Sequence, residues 1–125
     1  MGGSLDRLSV IDGDRVAIRH GASTQVVSRE DLICARAARN GTMIVTRRGT
    51  FKVREAMSAV VERLAHVGLV QIHRGVAVNS SKIRQLVGRS QHRLAVILDD
   101  DVRFAVGRQF QPLIRARFGA SRRAG

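Results

Sequence analysis

The run Ile72-His73-Arg74-Gly75-Val76-Ala77-Val78-Asn79 sets a histidine and an arginine at the end of one apolar segment and an asparagine at the end of the next. Arginine's planar fork matches the O6 and N7 acceptors of guanine, or two oxygens of a phosphate. His73 and Asn79 can each bond a phosphate or a base edge, and can equally satisfy backbone groups in the turn between two strands. Two other clusters carry similar chemistry. Arg39-Asn40-Gly41-Thr42 offers an arginine, an amide and a hydroxyl at what reads as a hairpin tip. Gly107-Arg108-Gln109 lies where an extended run meets the last helical one, and amides at a helix start favour a phosphate. Arg47, Arg48, Lys82 and Arg84 add cations suited to anchoring phosphates.

The elements that must present these groups are mostly extended. Residues 1–14 are polar and glycine-bearing, and read as a linker or disordered N-terminus. From Arg15 the apolar residues alternate: Val16 and Ile18, a turn at Gly21-Ala22-Ser23, then Val26-Val27. Ser28-Arg29-Glu30-Asp31 reads as a short helical turn capped by Ser28. Leu32 to Ala37 reads as a buried strand, and Asn40-Gly41 is the strongest hairpin signal in the chain. It leads into Thr42–Thr46, and Arg48-Gly49 turns again into Thr50–Val53. The period then becomes helical, with Met57, Val60, Val61, Leu64 and Val67 on one face and Gly68 as the stop. Strands resume at 69–72, 75–78, 83–87, 93–98 and 102–106, with turns at 88–91 and 99–101. A final helix is expected from Gln109 to Phe118, with Pro112 near its start. Residues 119–125 read as a basic disordered tail. The folded domain is therefore 15–118, mostly β with two short helices.

Composition limits the partners. A chain of 125 residues is one domain, with 44% hydrophobic content and a formal charge of +12. Of 22 basic residues only Lys52 and Lys82 are lysine. Codon bias can set that ratio, but not the excess of charge, which points to a polyanion. Apolar runs are only a few residues long and the N-terminus has no leader pattern, so neither a membrane span nor a signal peptide is expected. The lone Cys34 sits in an apolar run and suits a reducing cytoplasm as a small core residue. No catalysis and no metal or cofactor is expected. The histidines are scattered, the hydrolase, phosphate-loop and zinc-helix motifs are missing, and Asp99-Asp100-Asp101 splays its carboxylates as a polar turn does.

With these pieces in order the chain resembles the LytTR family of bacterial DNA-binding domains over roughly Arg15 to Phe118. The likeness rests on Glu30-Asp31-Leu32-Ile33, the Asn40-Gly41 hairpin, and Phe51-Lys52-Val53-Arg54 before the Met57–Leu64 helix. It continues through Ile72-His73-Arg74 to Val78-Asn79, Lys82-Ile83, and Val106-Gly107-Arg108-Gln109-Phe110. The chain departs from the family pattern in Leu69, Val70 and Gln71, where phenylalanines and an arginine are usual, and in Gly75 and Gly107, where serine is common. The resemblance implies an elongated stack of short antiparallel sheets, about ten strands, reading double-stranded DNA by loops in successive major grooves. By position the loops are Arg39–Thr42, His73–Gly75 and Gly107–Gln109. It further implies direct-repeat sites filled by one copy each, and a sensor or receiver domain not contained in these residues. The expectation is a transcription regulator's DNA-binding domain. A structural RNA-binding module and an acidic-membrane surface module are the alternatives.

Overall fold

A computed structural model describes residues 7–90 and 93–119. Among these residues eleven strands form three antiparallel sheets. The first sheet holds β1 (Arg7–Val10), β2 (Arg15–His20) and β3 (Ser23–Ser28), in that order. The central sheet has the order β6-β5-β4-β8-β7. Its strands are β4 (Leu32–Ala38), β5 (Gly41–Thr46), β6 (Gly49–Val53), β7 (Leu69–His73) and β8 (Val76–Asn79). The third, ordered β11-β10-β9, holds β9 (Ile83–Ser90), β10 (Arg93–Leu98) and β11 (Arg103–Ala105). Helix α1 (Met57–Leu64) links β6 to β7, and α2 (Gln111–Ile114) follows β11.

The central sheet is covered on both faces, and that explains its sequence. Ala35, Ile44, Val53, Leu69 and Ala77 enter one core with Leu8, Val16, Ile18 and Val27 of the first sheet and Met57, Val60 and Leu64 of α1. Their neighbours Cys34, Val70, Ile72 and Val78 face the opposite way, into a second core with Leu94, Val96, Leu98, Val106 and Ile114. A strand buried on both sides reads as a continuous apolar run rather than an alternating one. Burying large aliphatics such as Ile44, Leu64, Ile72 and Leu98 contributes roughly 2 kcal/mol each.

Several boundaries differ from the sequence reading. Residues 7–10 are not linker: β1 pairs with β2, Leu8 is in the core, and its amide and carbonyl are held by Glu55 at 3.1 Å and Arg63 at 2.6 Å. Four residues are too few for alternation to stand out. Of the turn expected at 88–91, residues 88–90 belong instead to β9, which runs to Ser90, and residue 91 lies outside the described residues. Ser28 stands where a cap belongs, but its hydroxyl donates to the Asp31 carboxylate at 3.1 Å instead of accepting from an amide. Helix α1 gives way to a 3-10 turn, Ala65–Val67, which stops as expected at Gly68 with φ 102°. The last helical segment begins as a 3-10 turn at Arg108–Phe110 and ends as a π turn at Arg115–Gly119. Of the expected tail at 119–125, Gly119 belongs to that π turn and 120–125 lie outside the described residues. Among the described residues no helix is long and apolar enough to cross a membrane.

Candidate nucleic-acid interface

Antiparallel register brings the three polar clusters to one end of the molecule. In β4 and β5, Ala38 pairs with Gly41, so Arg39-Asn40 is the hairpin tip. Asn40 adopts φ 60°, which asparagine tolerates. Gly41 is required for space, because a Cβ there would overlap the Val53 carbonyl oxygen. β8 runs antiparallel to β4, with Cys34 opposite Val78 and Arg36 opposite Val76. The Arg74-Gly75 turn therefore lies beside the hairpin tip, and the Ala37 amide donates to the Gly75 carbonyl at 2.9 Å. The third cluster is tied to the second: the Gly107 amide donates to the Ile72 carbonyl at 2.7 Å. A Cβ on Gly107 would stand 3.5 Å from the His73 ring, which shows how closely the two loops approach.

The side chains at this end are available. Arg39, Asn40, His73, Arg74, Arg108 and Gln109 are all exposed. Arg39, Arg74 and Arg108 make no ion pair with a carboxylate among the described residues, whereas Arg15, Arg29, Arg48, Arg63 and Arg84 do. The His73 Nδ1 accepts from the Gly75 amide at 3.1 Å. A neutral ring bonded that way carries its proton on Nε2, which leaves a donor for a ligand. The amides at the start of the last helical segment offer less than expected. That of Gly107 is spent on Ile72, and those of Phe110 and Gln111 close turns onto Gly107 and Arg108.

Two expected contacts are internal struts. Thr42 is fully buried and its hydroxyl donates to the Glu55 carbonyl at 2.7 Å. Asn79 is also fully buried, and its amide donates to the carbonyls of Arg29 and Leu32, both at 2.8 Å. Its Oδ1 accepts from the Ser81 amide at 3.0 Å and the Ser81 hydroxyl at 2.8 Å. Neither residue has a polar atom to spare for a ligand in this arrangement.

The expected phosphate anchors are elsewhere. Arg47 and Arg48 turn between β5 and β6, at the far end of β5 from Asn40; six residues of strand separate the two ends by about 17 Å. Lys82 and Arg84 follow β8 at that same far end. Arg48 is paired with Asp31 at 3.2 Å, and Arg84 with Asp101. Two arginines that spacing did not single out stand nearer the tips. Arg54 leaves β6 beside Gly41, and a Cβ on that glycine would lie 3.4 Å from the Arg54 Cα. Arg36 projects from β4 with its guanidinium 5.9 Å from the centre of the Phe104 ring. Both are exposed and neither makes an ion pair among the described residues. Antiparallel pairing with Thr42 was the available clue for Arg54, because Val53 sits opposite that residue.

A cation-rich row of loops on a rigid sheet end is the surface of a nucleic-acid-binding domain. Comparison with known proteins agrees. The LytTr DNA-binding domain family model matches residues 22–119. The chain belongs to the LytTR family of DNA-binding domains. Among solved structures, a LytTr DNA-binding domain from Bacillus cereus is similar with a TM-score of 0.69 and 14% identity, over 82% of this chain and 94% of that one. No curated protein matches.

Proposed function

We propose that this DNA-binding domain reads a specific sequence in double-stranded DNA through the Arg39-Asn40, His73-Arg74 and Arg108-Gln109 loops. Arg74 and Arg108 contact base edges in neighbouring major grooves, Arg39 and Asn40 add a third contact, and Arg54 and Arg36 hold phosphates. The observation that carries this reading is the Gly107–Ile72 hydrogen bond, which ties together the loops of two arginines that make no ion pair among the described residues. Target sites are direct repeats, each filled by one copy. A receiver or sensor domain supplies the signal, and a DNA partner places the domain in the cytoplasm, acting without catalysis. The RNA-binding alternative gains nothing, since Phe51, Phe104, Phe110 and Phe118 pack against the two cores and leave no free stacking platform.

Selection of bound fragments from a random duplex pool tests the proposal. An enriched motif repeated about one helical turn (roughly 10.5 base pairs) apart is expected. On that motif Arg74→Ala or Arg108→Ala costs about 1–3 kcal/mol, with a much smaller loss on random duplex. Equal losses on both would refute base reading at these positions.

A further inference from the structure

The β7–β8 turn lacks the backbone that normally closes a two-residue hairpin. Such turns favour positive φ at one or both central residues, because that twist matches the strands they join. Neither Arg74 nor Gly75 has positive φ, in contrast to Asn40 at the neighbouring tip. The register also slips between Gln71 and His73, a bulge that re-aims the side chains next to it.

Side chains replace the missing turn chemistry. The Gln71 Nε2 donates to the carbonyls of His73 at 3.1 Å and Arg74 at 3.3 Å. The His73 Nδ1 accepts from the Gly75 amide at 3.1 Å. Outer contacts hold the same segment, through Gly75 to Ala37 and Ile72 to Gly107. The carbonyls of Ile72, His73, Arg74 and Gly75 and the Gly75 amide are thus engaged by a side chain or a neighbouring loop, while the Arg74 side chain has no ion pair among the described residues.

We infer that Gln71 is a positioning residue for DNA reading: its amide braces the backbone of His73 and Arg74, and thereby sets where Arg74 meets a base. This rests on the proposed base-reading role of Arg74. A bidentate contact rewards a guanidinium held in place beforehand, because little freedom is then lost on binding. A phosphate contact tolerates a looser arm, so a weakened brace should lower specific binding and spare random binding.

The test compares the parent with Gln71→Met, which keeps length and neutrality but cannot donate, and Gln71→Arg, which restores donors. Backbone amide order parameters of Arg74 and Gly75 in free protein are the first readout. They should fall in Gln71→Met and recover in Gln71→Arg, with the melting temperature nearly constant. Affinity for the selected duplex should fall about five- to tenfold in Gln71→Met, chiefly through faster dissociation, with random duplex within twofold. Unchanged order parameters in Gln71→Met would overturn the brace whatever the DNA behaviour. A looser turn with an unchanged ratio of selected to random affinity would overturn its role in reading. Absence of any selected motif for the parent would refute specific reading and this role with it, while the order parameters would still show the brace.

Discussion

Asn79 and Arg74 stand five residues apart, yet the first is fully buried and the second exposed. Asn79 sits where a side-chain amide can bridge two carbonyls and a backbone amide, inside the protein. A buried group that loses its partner costs more than the bond it made. Asn79→Ala is therefore expected to lower stability by about 3 kcal/mol in chemical denaturation. Affinity for DNA per folded molecule should stay at the parent's level. Thr42→Val leaves the Glu55 carbonyl without its donor and should cost about 1–2 kcal/mol, again without changing specificity. A loss of DNA affinity with unchanged stability would return either residue to the interface. Cys34 belongs with them: it is buried, and burial pushes its thiol up from the usual range, so it acts as a small apolar residue.

Among the elements, the 3-10 turn Arg29–Asp31 is the link between the first sheet and the central one. It delivers the chain from β3 to β4, and its Asp31 carboxylate is tied to the Ser28 hydroxyl and Arg48. Burial alone would raise the Asp31 pKa, but those two partners, with the nearby Arg47 charge, outweigh it and hold the carboxyl below its ordinary 3.8. A carboxyl depressed in the fold stabilises above its unfolded pKa and loses that contribution as pH falls through the folded value. The melting-temperature gap between the parent and Asp31→Asn should be widest near neutrality and close as pH drops below about 4. A gap independent of pH would mean the carboxylate's charge contributes nothing. β1 shows a different dependence, being a short strand made secure by Glu55 and Arg63 from another part of the chain. No local pattern could announce it.

At the scale of the whole molecule, the two ends of the central sheet differ in how their arginines are paired. The tip end holds Arg36, Arg39, Arg54, Arg74 and Arg108 without ion pairs among the described residues. At the far end Arg48 and Arg84 are neutralised by Asp31 and Asp101. If binding neutralises about six phosphates, log affinity should fall with log salt at a slope near −5. Arg54→Ala should make that slope about 1 unit shallower, whereas Arg47→Ala or Lys82→Ala should leave it alone. An Arg47→Ala effect equal to that of Arg54→Ala would show DNA lying along the sheet and touching both ends.

Local rules determined a large part of this protein. Alternation, the change to helical period at Met57, the stop at Gly68 and the hairpin at Asn40-Gly41 place nearly every element from Val16 onward. The polar tips at 39–40, 73–74 and 108–109 follow from those boundaries. Each signal is carried by residues a few positions apart, which is the range over which backbone geometry repeats. Only tertiary structure decided which polar residues face outward. Thr42 and Asn79 look like tip residues in the sequence and are sealed by Glu55, Arg29 and Leu32, from segments far along the chain. Arg54 looks like an ordinary helix-flanking charge and is carried to the tip by strand pairing. Burial and strand register depend on what packs across the chain, so spacing along it could not distinguish a strut from a contact.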